Sequence, residues 1–158
     1  YFFGQACRFE LIEREGKHEI QLLKSGKLKM FVRPNTSIIN REKLLTEWYR
    51  SELKNYIPEL LNKWEGVIGA KALGWGVKKM KTKWGSCSIE KKRVWLNLEL
   101  AKKPPECIEY ILVHELVHLL ERKHNDNFRE IMDSVLPKWR AYRDVLNKTP
   151  LVHEDWNY

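Results

Sequence analysis

The stretch His114-Glu115-Leu116-Val117-His118-Leu119-Leu120-Glu121-Arg122-Lys123-His124 places two histidines four residues apart, a glutamate after the first, and a third histidine six residues after the second. In a helix, residues four apart lie about 40° apart around the axis and about 6 Å along it, so His114 and His118 can aim their imidazoles at one ion. Glu115 falls about 60° beyond His118, beside the pair, where a carboxylate can reach an activated water without ligating the metal. Chance gives roughly 0.02 occurrences of the four-residue spacing in a chain of this composition. The spacing is that of a zinc-dependent peptidase site.

The helix around the motif supplies an independent test. At 100° per residue, Ile108, Leu112, Val113, Leu116, Leu119 and Leu120 fall about 120° to 260° from His114, opposite the ligands. The pattern predicts a helix with an apolar back on the core and a ligand-bearing front lining a cleft. Ten further helical residues would carry His124 about 15 Å along the axis from His114, so the helix must end near Leu120 to Arg122. Asn125-Asp126-Asn127 follows with turn and cap chemistry.

His114, His118 and His124 as neutral ligands would hold one zinc per chain with a position left for water, and Glu115 would be the base that takes that water's proton. Tyr110, Arg140, Tyr142 and Arg143 are candidate oxyanion donors, and spacing assigns a role to none of them.

Working outward, the pattern predicts an α+β chain of one domain with two lobes. An N-terminal antiparallel β unit occupies residues 1–35, with strands Arg8 to Ile12, Glu19 to Leu23 and Lys27 to Val32 and a tight turn at Ser25-Gly26. A long helix over 40–65 follows from the spacing of Leu44, Leu45, Trp48, Tyr49, Leu53, Tyr56, Ile57, Leu60, Leu61 and Trp64; Pro58 should kink it, and Gly66 and Gly69 mark its end. A small antiparallel sheet occupies 67–98, with strands Lys81 to Ser88 and Arg93 to Leu98 about a turn at Glu90-Lys91-Lys92, and glycines 69, 74 and 76 marking a bulge or an edge. A helical part over 104–147 carries the histidines, Pro104-Pro105-Glu106 opening its first helix and others starting near Asn127 and Lys138. The tail, Leu151 to Tyr158, contains His153-Glu154 without a second histidine and reads as an ordinary terminus. Lys81 to Ser88 is the candidate edge strand for holding an extended protein or peptide substrate by backbone hydrogen bonds.

No apolar run approaches the ~20 residues of a membrane span, and the opening Tyr1-Phe2-Phe3-Gly4 has neither an initiator Met nor the sequence of a signal peptide. The chain is expected not to be a membrane protein. Cys7, Cys87 and Cys107 lack metal spacing and cannot all pair within one chain, which favours a reducing, cytoplasmic setting. Cys87 and Cys107 read as small buried residues. With 29 Lys and Arg against 21 Asp and Glu, the formal charge is +8. Regular alternation would put Lys79, Lys81 and Lys83 on one strand face, near Lys91, Lys92 and Arg93, with Lys102 and Lys103 close in sequence; tryptophans near them would be available to stack on bases. DNA association through this basic surface is one reading of the charge. A solvated basic surface is the other, because no nucleic-acid recognition motif accompanies it.

Several blocks together resemble one family: Lys81-Thr82-Lys83-Trp84-Gly85-Ser86-Cys87-Ser88, Leu96-Asn97-Leu98, Pro104-Pro105-Glu106, and Ile108 through Leu119, continued by His124 and Phe128. They resemble the YgjP-like metallopeptidases, related in their zinc motif to SprT-like and WLM-type peptidases, and the likeness extends over roughly residues 20 to 147, including Glu47-Trp48-Tyr49-Arg50. The resemblance implies a zincin-like domain, zinc ligands at His114, His118 and His124, a catalytic base at Glu115, and a substrate cleft bordered by Trp84, Gly85, Ser86 and Cys87. Two positions depart from that pattern, Asn125 where the family often has Ser and Arg129 where it has Trp. Metzincins share the histidine spacing but turn the chain with Gly where this sequence has Glu121, so the turn must be made another way. Three functions follow as expectations: a zinc peptidase, a nucleic-acid-associated peptidase acting on DNA-bound proteins, and a non-catalytic zinc-stabilised binding module.

Overall fold

The computed structural model describes residues 1–148; the tail with His153-Glu154 lies outside the described residues. Strands β1 (Arg8–Glu13), β2 (Glu19–Leu22) and β3 (Lys27–Val32) lead into helix α1 (Ile38–Ile68). Strands β4 (Gly74–Lys78), β5 (Gly85–Ser88) and β6 (Arg93–Asn97) follow, then a 3-10 turn at Leu98–Lys102 and helices α2 (Pro105–Val117), α3 (Asp126–Val135) and α4 (Trp139–Lys148). The α+β arrangement is the expected one. No helix among the described residues is long and apolar enough to cross a membrane.

Both sheets are mixed rather than purely antiparallel. The first runs β1-β3-β2, with β2 antiparallel and β1 parallel to β3; the second repeats this order as β4-β6-β5, with β5 antiparallel and β4 parallel to β6. Period two specifies which face of a strand is apolar, but it does not specify neighbour or direction. Packing decides both. The strands with the most buried side chains, β3 with Leu28, Met30, Phe31 and Val32 and β6 with Val94, Leu96 and Asn97, take the centre, where both backbone edges are paired.

Helix α1 is longer than its apolar spacing predicts. Ser37 caps it by accepting from the Asn40 N–H, and Gly69 ends it in the left-handed region at φ 76°, its N–H bonded to the Glu65 carbonyl. Pro58 does not interrupt it. Pro58 and Lys54 are both exposed, so the Lys54 carbonyl that loses its N–H partner lies on the wet side of the helix. The opposite stripe, Tyr49, Leu53, Ile57, Leu60, Leu61, Trp64 and Ile68, joins the core formed with β4, β6 and α2. Polar contacts tie α1 to its neighbours: Arg50 Nη1 donates to the Val77 carbonyl at 2.8 Å, and Trp64 Nε1 and Lys63 Nζ each donate to Glu109 Oε1 at 2.6 Å.

The expected strand from Lys81 to Ser88 forms only from Gly85. The cause is Asn97, a buried amide whose Nδ2 donates to the carbonyls of Met80 at 2.9 Å and Lys83 at 2.7 Å, while its Oδ1 accepts from the N–H groups of Met80 and Glu99. These bonds hold the Met80–Lys83 segment as a loop, so Lys79, Lys81 and Lys83 do not share a strand face.

Helix α2 opens with Pro105 in its first turn, as Pro104-Pro105-Glu106 predicts. It is not apolar on one side only. Tyr110, Ile111 and Val117, on the histidine side, are wholly buried, as are Ile108, Leu112, Val113 and Leu116 on the back. The helix is enclosed by α1, α3, α4, β5 and β6. It also stops at Val117, earlier than expected, so Leu120 falls beyond it and is exposed. Leu53→Ala removes a wholly buried side chain from the core and is expected to lower the unfolding free energy by about 2–5 kcal/mol, read from chemical denaturation at unchanged helix content.

Candidate metal centre

The early end of α2 builds the site. The N–H groups of Leu119 and Leu120 bond to the carbonyls of Leu116 at 3.0 Å and Val117 at 2.9 Å, tightening the last turn, and Glu121 closes back on Val117. The chain then reverses without glycine. Asn125 caps α3 by accepting from the Phe128 N–H at 3.0 Å, the restart predicted from Asn125-Asp126-Asn127. Between the two helices His124 swings back toward α2.

The three Nε2 atoms converge. His114 and His118 are separated by 3.2 Å, His114 and His124 by 3.0 Å, and His118 and His124 by 2.9 Å. A tetrahedral ion with Zn–N bonds of ~2.0–2.1 Å sets its nitrogens about 3.3 Å apart, so this donor set fits such an ion. His118 Nδ1 donates to the Glu121 carbonyl at 3.1 Å, which leaves the Nε2 lone pair for a metal. Burial is the main force lowering the proton affinity of all three imidazoles, most strongly His114, with the neighbouring histidines adding to it for His114 and His118 and Arg129 for His124. Neutral imidazole is the ligating form.

Phe128, from the first turn of α3, lies beneath the whole set. Its ring centroid is 4.9 Å from that of His114, 4.8 Å from His118 and 4.9 Å from His124. A rigid, buried aromatic equidistant from three imidazoles restricts their rotation. Tyr110 meets the His114 ring edge-on at 5.9 Å and stacks on Trp139 at 6.2 Å.

Glu115 projects from α2 beside the cluster and is almost wholly buried; desolvation pushes its carboxyl up to about 8, with Lys83 opposing. Its neighbour is Gly85. A Cβ built on Gly85 would lie 2.8 Å from Glu115 Oε1 and 2.9 Å from its Cγ, so β5 rests directly on the carboxylate. The other residues of that block are dispersed. Trp84 is wholly buried in the core, Ser86 points to the outer face opposite Trp95, and Cys87 is half-buried on the Gly85 face, where burial, helped by Glu115, pushes its thiol up to about 11. Cys107 is buried, as expected. Of the possible oxyanion donors, Tyr110 is wholly buried, Arg140 pairs with Asp133 and Arg143 with Asp144, both over the Trp139 ring, and Tyr142 packs partly buried against the core.

Sequence reasoning noted Phe128 and Asn97 only as parts of a resemblance. The signals were an aromatic one helical turn after a ligand, and a lone amide inside the apolar run Leu96-Asn97-Leu98.

This fold is similar to that of solved metallopeptidase zymogens. Abylysin of Pyrococcus abyssi aligns over 63% of this chain and 98% of its own, with a TM-score of 0.56 and 19% identity. Jannalysin of Methanocaldococcus jannaschii aligns over 56% of this chain and 93% of its own, with a TM-score of 0.47 and 21% identity. A comparison with curated proteins finds no match. The likeness to abylysin, at 19% identity, is one of fold. Residues 1–149 match the YgjP-like metallopeptidase domain, and the chain belongs to that family.

Phe128→Leu keeps an apolar side chain but loses the aromatic contact with three rings, edge-on to His114 and His124 and tilted to His118. Affinity for a divalent metal ion, measured by competition with a chromophoric chelator, is expected to fall about tenfold or more while the protein stays folded.

Proposed function

We propose that the chain is a zinc-dependent peptidase in which His114, His118 and His124 hold one zinc ion and Glu115 is the general base. The observation that carries this reading is the convergence of three imidazole nitrogens within 3.2 Å beside a buried carboxylate. Zinc held there supplies Lewis-acid activation of a water and of the scissile carbonyl. Glu115 accepts the water's proton as the water attacks and returns it to the departing amine. Its burial keeps bulk water from competing for that proton, and a dication nearby favours the ionised carboxylate that the step requires. The imidazoles, kept neutral by burial, stay available as ligands.

Strand β5 suits a protein or peptide substrate. It is the outer strand in the order β4-β6-β5, so one backbone edge is not taken up by the sheet, and it lies against Glu115. An extended peptide laid along that edge would bind through main-chain hydrogen bonds, allowing varied side chains near the base. The three free cysteines support a reducing, cytoplasmic setting.

Zinc content near one per chain is expected, lost in His124→Ala. Glu115→Gln is expected to keep the metal and lose about 10²–10⁴-fold in hydrolysis of a denatured proteome. Undiminished cleavage by Glu115→Gln would reject the mechanism. A protein that unfolds on chelation and cleaves nothing would instead be a zinc-stabilised binding module.

A second reading, association with nucleic acid, is favoured by the outer face of β4-β6-β5. There Trp95 is half-buried, with Lys78 Nζ and Arg93 Cζ over its ring, 4.5 Å and 4.4 Å from the centroid, and its indole lies where a Cβ on Gly76 would otherwise be, 2.4 Å from the nearest ring carbon. An aromatic with flanking cations is a stacking and phosphate-binding combination, and the +8 charge supports it. Binding of a fluorescent single-stranded oligonucleotide is expected to weaken as salt rises and to fall by ~1–3 kcal/mol in Trp95→Ala. Absence of binding at low salt would remove this reading.

A further inference from the structure

Gly85 and Glu115 belong to elements far apart in sequence, and their contact is closer than any side chain at position 85 would allow. The space that a Cβ would occupy is taken from two sides, by Glu115 Oε1 and Ile111 Cγ2 at 2.8 Å each, and Glu115 Cγ is 2.9 Å away. We infer that Gly85 is a positioning residue for Glu115: the missing side chain is the slot that fixes where the carboxylate lies. The functional part of this inference rests on Glu115 being the base of the proposed peptidase.

Three neighbours determine what yields when that slot is filled. Strand β5 is anchored, because Gly85 pairs with Leu96 of β6, the Asn97 N–H donates to the Trp84 carbonyl at 2.8 Å, and the Asn97 side chain holds the Lys83 carbonyl. Ile111 is wholly buried in α2, and its Cγ2 sits on the branched carbon next to the backbone, so it moves only by a χ1 rotation that a β-branched residue in a packed helix resists. The carboxylate of Glu115 ends a chain of three rotatable bonds. It is the group that moves, and it moves out of line with the imidazole cluster while the ligands, on another face of α2 and on the loop before α3, stay in place. The same contact joins the proposed substrate strand to the proposed base, so the distance between substrate backbone and carboxylate is set by backbone packing rather than by side-chain rotamers.

The test is a pair of crystal structures, zinc-loaded wild type and Gly85→Ala, with zinc content and steady-state kinetics on the same preparations. The expected result is a displaced Glu115 carboxylate, an unchanged Nε2 triangle, about one zinc per chain, and kcat reduced about a hundredfold with KM little altered. A carboxylate that stays where it is, with β5 or Ile111 having shifted instead, overturns the inference, as does an unchanged kcat in an active enzyme. If the wild type cleaves nothing, the peptidase reading fails, while the carboxylate position still decides whether Gly85 sets it. Should Gly85→Ala not fold, the double variant G85A/I111A removes the Ile111 contact and keeps the one to Glu115; its carboxylate is expected to be displaced in the same way, and an undisplaced one overturns the inference.

Discussion

Helix α2 must carry two polar side chains through a dry interior, and the rest of the molecule is arranged around that constraint. Ten of its thirteen residues are buried, His114 and Glu115 among them. Desolvation disfavours the charged form of each, lowering the proton affinity of the histidine and raising that of the glutamate. For a metal centre these are useful displacements. The imidazole is kept as a neutral donor, and in the proposed peptidase the carboxylate, kept dry, would take a proton once a cation favoured its ionised form. Burial that costs stability in the empty site becomes affinity in the loaded one, so folding and metal binding are linked.

The enclosing elements each restrain one component. Phe128 of α3 restricts the three imidazoles from below, and Gly85 of β5 bounds the carboxylate from the side. Behind β5, Asn97 uses both ends of its amide to hold the loop that leads into the strand. Side chains locked by packing and by satisfied hydrogen bonds hold a reactive geometry better than flexible ones, and a buried amide with both ends bonded is worth more than its size suggests. Because α1, β4 and α2 are cross-linked through Arg50, Trp64 and Glu109, the support extends to the long helix at the far side of the core.

Much of the helical framework and the histidine cluster was legible because the relevant interactions are local. Gly69 and Asn125 act on backbone groups within four residues, and the spacing of His114, Glu115 and His118 becomes an angular relation as soon as the segment is helical. The requirement that His124 return to the cluster already implied a stop, expected near Leu120 to Arg122 and made at Val117, and a restart, expected near Asn127 and made at Asp126. Where the reading failed, long-range packing had overruled local pattern. The apolar arc of α2 suggested one buried side, but Tyr110 and Ile111 on the ligand side are as deeply buried as Leu112 on the back. Alternation through Lys79, Lys81 and Lys83 suggested a strand, but the Asn97 amide outcompetes the ladder for the Met80 and Lys83 carbonyls.

The sequence by itself determined the ligand-bearing helix, the residues able to meet one metal ion, and the turn that brings the third of them back, since each depends on spacings of a few residues. Only the tertiary structure decided that first and third strands run parallel in both sheets, that Phe128 lies under all three imidazoles, and that Gly85 leaves the space Glu115 occupies. Those contacts join segments up to thirty residues apart, and their partners are chosen by volume, burial and hydrogen-bond satisfaction in the assembled core, which no periodicity along the chain encodes.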